Sequence, residues 1–409
     1  MKLKSIKLEY IAVALFMFTA FNITLWRFGA NQSIAVLALL VIFYRPWRRE
    51  LFSLQWLKTP VLIWSGVFII WCIISLSYSE APNLAKAAQG ITMYSKLLFL
   101  LAIPIAFRET RYRRWVENAL IYGVLINVIL SVLYYYQFPA WITHYASYFS
   151  MNITFSINPL QMIYIVVMAL WLLTMRICNR EFAWHDVVVG VLLLAYLWLI
   201  NLERSGFLIF IALFILFLGQ RFGKKAVGVG LIAVPVFLGL LYFFLPPFQN
   251  RVNIGIQNIE AFQQTENVGT IGPDNSLGLR LAFTMESIPV IKDHLLFGTG
   301  VGSFRYVHAK LYPEQQKVFP ANDPHEAYIY VAFELGMVGL AIYIAWLVSI
   351  FRWISRLPQK ERYLLRGIWL IFVVMGFTDS GLPLNAIGLS FVLWLSLYLR
   401  PNQPPLAKG

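Results

Sequence analysis

Apolar residues fall into long runs separated by short polar turns along most of the chain. Twelve such runs lie near residues 9–27, 31–45, 59–79, 90–107, 115–136, 158–176, 186–202, 205–220, 226–245, 325–351, 363–381 and 384–399. A bilayer core takes roughly 20 predominantly apolar residues per helix. The pattern therefore predicts an all-α integral membrane protein of about 12 transmembrane helices. It is interrupted once, from Pro246 to Pro324. That stretch mixes Gly, Pro and charge with amphipathic segments such as Leu279–Leu296, and so predicts a folded loop of short helices. Three regions result: residues 1–245 with nine helices, the 246–324 loop, and residues 325–409 with three helices and a short tail. Lys2, Lys4 and Lys7 before the first run imitate a signal peptide, but no small-x-small cleavage pattern follows, and the run reads as the first span.

Composition agrees with lipid as the main solvent. The 409 residues are 59% hydrophobic and 13% charged, against about 25% charged in soluble domains. The net charge of +14 fits either nucleic acid or membrane topology, and its placement decides. Basic residues gather in alternate connections: Arg45, Arg48, Arg49 and Lys58, then Arg108 to Arg114, Arg176 and Arg180, Arg221 to Lys225, and Arg352 to Arg366. Arg400 and Lys408 follow in the tail. The positive-inside bias makes that face cytoplasmic. Both termini are then inside, and the 246–324 loop lies on the outer face of the membrane. The basic excess is topology, with no nucleic-acid partner implied. Cys72 and Cys178 lie in or beside apolar runs and offer no disulfide framework or zinc spacing. The five histidines show no metal-site spacing, so neither metal nor cofactor is expected.

A few polar residues are not explained by topology. Arg204, in Asn201-Leu202-Glu203-Arg204-Ser205, sits in a short outer turn, where it either pairs with Glu203 as a cap or serves a function. Arg280 opens an apparent loop helix, in Ser276-Leu277-Gly278-Leu279-Arg280. Two guanidinium forks on one membrane face suit bidentate capture of phosphate or pyrophosphate. The Gly-rich Phe297–Phe304 stretch is neither a dinucleotide fingerprint nor a Walker loop, and reads as a tight turn that lets backbone approach a partner. In Asp323-Pro324-His325-Glu326, Asp323 suits an N-cap and Pro324 the first helical position. This places His325 in the first turn of the tenth span, where the helix dipole favours a neutral imidazole able to act as a base. His144, His185, His294 and His308 have no comparable setting. Lys96 and Asp379 read as a pair or as cavity-lining residues, and Glu334 as a helix-packing residue near Gly336 and Gly339.

These motifs together resemble the bacterial O-antigen ligases, a family that shares its C-terminal region with O-antigen polymerases. The resemblance rests on Arg204-Ser205-Gly206, on the run from Arg280 through Pro289–His294 to Gly298–Phe304, and on Pro324–Tyr328 with Glu334, Gly336 and Gly339. It covers roughly residues 200–345 and departs from the family pattern at Glu326, where relatives often carry Asn. The resemblance implies a GT-C-type membrane glycosyltransferase, independent of metal and nucleotide sugar. Its donor would be O-polysaccharide on undecaprenyl pyrophosphate and its acceptor a sugar hydroxyl of lipid A–core. Arg204 and Arg280 would hold the pyrophosphate, and His325 would be the base. A polymerase with the same donor chemistry is the nearest alternative. A transporter or flippase of lipid-linked glycan would instead carry polar residues deep in several spans.

Overall fold

The computed structural model describes residues 2–53, 58–107, 110–137, 154–201, 203–264 and 275–399. Arg108, His144, Leu202, Arg400 and Lys408 lie outside them. Among the described residues the chain is all-α, without a β-strand. The first seven helices are α1 (Lys2–Asn22), α2 (Arg27–Phe43), α3 (Arg45–Leu51), α4 (Pro60–Ser75), α5 (Leu84–Tyr94), α6 (Phe99–Ala106) and α7 (Arg113–Tyr135). After them come α8 (Pro159–Cys178), α9 (Trp184–Leu199), α10 (Arg204–Phe222) and α11 (Lys224–Phe244). The long polar interval holds α12 (Pro246–Gln264), α13 (Ser276–Asp293), α14 (Phe304–Leu311) and α15 (Pro313–Val318). The chain returns to apolar sequence in α16 (Ala327–Ile354), α17 (Gln359–Met375) and α18 (Asn385–Tyr398).

Each of the predicted apolar runs holds helix, yet the described chain does not support a count of twelve spans. Seven helices are long and apolar enough to cross a membrane, and an eighth qualifies if α2 and α3, bent by 90°, form one broken span. The other runs fall short for physical reasons. The apolar parts of α1, α9 and α18 are too short by themselves, and α17 is 17 residues long with Lys, Glu and Arg in its first turns. Seven spans still make this a multi-pass membrane protein.

Burial locates the centre of the bundle. In α8, 89% of the span is buried, whereas in α11 only 6% is. The first packs against α7, α9, α10, α17 and α18, while the second leans mainly on α10. At one end of α8, Arg176 is enclosed by Glu117 at 2.8 Å and Asp186 at 3.3 Å. Some of the basic residues that mark topology are therefore also bolts between helices.

One helix is broken where the pattern predicts continuity. Within α16, Gly336 has φ 68° and ψ −175°, a region open in practice to glycine only. Backbone groups freed by such a break need partners when the chain lies in lipid, and the Gly-rich loop supplies them. Thr299 N donates to Phe333 O at 3.0 Å and Gly300 N to Glu334 O at 2.7 Å, while Met337 N donates to Leu295 O at 2.9 Å. Trp71 Nε1 closes the remaining gap on Leu335 O at 3.1 Å. Glu334, fully buried, accepts from Phe304 N at 3.1 Å and so holds the start of α14. The Gly-rich stretch is thus a plug in a broken helix. A Cβ on Gly336 would lie 2.2 Å from Leu296 O. Gly336→Ala is expected to lose about 1–3 kcal/mol from backbone strain with the clash added. The check is the thermal unfolding midpoint in detergent; an unchanged midpoint would mean the plug does not depend on this glycine.

Candidate active site at the helix ends

Arg204 is the first residue of α10, and Glu203 precedes it without making a side-chain cap. Glu203 pairs instead with Arg251 of α12 at 3.5 Å, and reaches Arg204 only through its charge. Its Nη2 donates to Ser276 Oγ at 3.0 Å, and its Nη1 is enclosed without a protein hydrogen-bond partner. Gly255 makes room for this guanidinium, since a Cβ there would stand 2.9 Å from Nη1.

Arg280 lies one turn further along α13. Asn275 caps that helix, accepting from Gly278 N at 2.7 Å, and ties it to α12 through Asn258 O at 3.0 Å. Ser276 and Arg280 are four residues apart and share a helix face. The contact from Arg204 to Ser276 therefore brings both guanidinium groups to the same surface. Arg280 is within electrostatic reach of Arg204, and also of His325. Among the described residues no carboxylate comes within ion-pair range of Arg280.

His325 stands differently from the expectation. The helix begins at Ala327, with Glu326 as N-cap accepting from Ile329 N at 2.5 Å. Asp323 does not cap α16; its Oδ1 accepts from His325 N at 2.9 Å and from the Ser380 hydroxyl. His325 is consequently in the turn before the helix, at φ 54°, and the dipole argument for a neutral ring does not apply. Its Nδ1 faces two carboxylates, Asp323 at 3.4 Å and Asp379 at 3.5 Å. Burial disfavours imidazolium, but hydrogen bonding and charge from Asp379 and Asp323 outweigh it. The pKa is held above its ordinary value, with Arg280 pulling the other way.

Asp379 was legible as a polar oddity but not as this histidine's partner. Nor does it pair with Lys96. The Lys96 ammonium donates to Met93 O at 3.1 Å, Leu382 O at 2.9 Å and Pro383 O at 3.2 Å, and so braces the turn that follows Asp379. Tyr164 of the buried α8 completes the floor, bonded to Thr378 at 2.5 Å and in the field of Asp379 and Arg280. Local sequence gave no sign of Tyr164 or of Asp323 as a carboxylate partner. His308, passed over in the sequence, is fully enclosed against Glu286 at 2.9 Å. Phe283 lies between its ring and that of His325.

The ligand atoms of Asp323, His325 and Asp379 lie within 4.8 Å of one another. Two carboxylates and an imidazole are a donor set that a divalent cation accepts. The same arrangement orients an imidazole and stabilises its protonated form, and the nearby Arg280 opposes a cation while attracting an anion. Chemically, the surface combines two guanidinium donors for a phosphate-like group with a histidine whose Nδ1 faces two carboxylates.

A comparison with curated proteins found no match. Residues 189–344 match the family model described as O-Antigen ligase, and this stretch holds Arg204, Arg280 and His325.

Proposed function

We propose that this protein transfers a glycan from undecaprenyl pyrophosphate to a sugar hydroxyl of lipid A–core, at the periplasmic face of the inner membrane. The observation that carries the reading is that Arg280 stands within electrostatic reach of Arg204 on one side and of His325 with its two carboxylates on the other. The acceptor hydroxyl attacks the anomeric carbon, and the bond from that carbon to the pyrophosphate oxygen breaks with its electron pair. Arg204 and Arg280 meet the charge that develops on the leaving group, where fixed donors contribute most. The hydroxyl proton passes to His325 Nε2, and Asp379 and Asp323 stabilise the resulting imidazolium. A polymerase would run the same steps with a growing glycan as acceptor.

The test is transfer by purified protein in detergent, with lipid-linked glycan, lipid A–core and EDTA present. Conjugated lipid A–core is the expected product. Elongated lipid-linked glycan without conjugation would make the protein a polymerase, and activity restored only by added divalent cation would replace the metal-free scheme.

The carboxylates also set a pH dependence. His325 acts as a base in its neutral form, which grows as pH rises through its raised pKa. The rate should therefore climb with pH to a plateau above the ordinary imidazole range. Asp379→Asn removes one source of the upward shift, so the rising limb of kcat/KM against pH should move to lower pH while kcat falls. An unmoved limb would detach Asp379 from this titration.

A further inference from the structure

We propose that a charged cavity at the other end of the bundle is a site for a zwitterionic phosphoethanolamine headgroup, carried by a lipid of the adjoining leaflet. The cavity, of about 210 Å³, opens where α7, α8, α17 and α18 meet. Arg176 in its wall lies about 18 Å further along α8 than Tyr164, which floors the candidate active site. Its occupancy is therefore independent of the transferase reading. Four cations line the cavity, Arg113, Arg114, Arg176 and Lys360. Three carboxylates share the wall, Glu117, Glu181 and Glu361. An anion alone would face the carboxylates and a cation alone the guanidinium groups, whereas a head that carries both signs a short linker apart meets each.

Deep in the wall the charges are already paired. Glu117 accepts from Arg176 at 2.8 Å and from the Tyr398 hydroxyl at 3.1 Å. One enclosed donor is left over, because Arg176 is only 3% exposed and its Nε has no protein acceptor. At the mouth, pairing is half complete. Arg113 donates to Oε1 of Glu361 at 2.5 Å and Lys360 to Oε1 of Glu181 at 2.5 Å. Among the described residues the second oxygen of each carboxylate is open to a further donor. Arg114 spends Nη2 on Glu181 O at 2.8 Å and Asp186 at 3.4 Å. Its Nη1 lies 4.0 Å from Glu117, beyond hydrogen-bond range. A phosphate accepts from Arg114 Nη1 and Lys360 Nζ, and a primary ammonium donates to the open oxygens of Glu181 and Glu361. The source of the head is a lipid. Trp115, Phe182 and Trp184 are exposed and stand beside Arg114 and Glu181 in the chain, and Trp residues at the ends of spans mark headgroup depth.

The experiment uses the full-length protein, delipidated in detergent, and native mass spectrometry with phosphatidylethanolamine, phosphatidylcholine and phosphatidylglycerol of identical acyl chains. Phosphatidylethanolamine is expected to bind about tenfold more tightly than either of the others, because the choline head has no N–H to donate and the glycerol head no cation. Equal retention of the three lipids overturns the proposal. Glu181→Gln and Lys360→Gln change exposed side chains at the mouth. Each should abolish the preference while the lipid-free thermal midpoint stays that of the wild type. A preference that survives both substitutions, with or without a lower midpoint, makes the cluster a fastening between helices and overturns the site. Glycerophosphoethanolamine, the same head without tails, should not displace the lipid at equal concentration. Displacement by it would overturn the lipid assignment in favour of a soluble ligand.

Discussion

Replacing His325 with Ala is expected to lower glycan transfer about 100- to 10,000-fold, the usual contribution of a positioned general base. The loss should appear in kcat, because deprotonation of the acceptor belongs to the transition state and not to donor binding. The backbone needs a control. His325 sits at φ 54°, a conformation that Asn tolerates better than Ala. His325→Asn should keep the turn, along with the elution profile and thermal midpoint of the wild type, and still lose transfer to the same degree. Near-normal transfer by a folded His325→Asn protein would remove this residue from the chemistry.

The second large effect falls on Arg280. Lys at this position keeps the charge but replaces a planar fork with a point donor. Arg280→Lys is expected to cost about 100-fold in kcat/KM, as for the loss of one fixed donor to a developing anion. The reason lies in what surrounds it. Among the described residues no carboxylate neutralises Arg280, and Arg204 already approaches the same surface through Ser276. In the proposed reaction the two forks would divide the charge of one leaving group, so neither would substitute for the other. Kinetics with a series of lipid-linked donors would check this. If Arg280→Lys transferred at nearly the wild-type rate, only the charge at this position would matter and the bidentate argument would fail.

Much of the helix content was legible because burial in lipid writes itself into local hydropathy. The break in α16 was not, because an apolar run such as 325–351 reports burial and carries no record of backbone continuity. Gly336 and the Gly298–Gly302 turn were visible as glycines, but their mutual insertion joins residues nearly forty positions apart. The chemistry of the site divides similarly. Arg204 and Arg280 declared themselves as cations against the topology or in a helix-opening turn. Asp379 pairs with His325 across 54 positions, and local pattern cannot encode that contact. The start of α16 was misplaced because Asp323 and Glu326 both suit an N-cap. Glu326 takes that role, and Asp323 turns back to the histidine.

The interruption at Gly336 has a mechanical consequence. Helical hydrogen bonds do not run across it, so the bending stiffness of α16 is lost there. On one side, Met337–Ile354 is packed along α4. On the other, the stub Ala327–Leu335 is tied through Phe333 and Glu334 to Thr299 and Gly300. His325 is attached to the stub. The stub is also fastened to the bundle, because Ala327 N donates to Gly376 O at 2.7 Å and the Tyr328 hydroxyl to Val373 O at 2.9 Å, so His325 sits where the loop and the bundle are joined. In the proposed scheme a ligand gripped by α13 would then pull on a histidine already held beside Asp379, so the junction keeps the base in register while the loop yields.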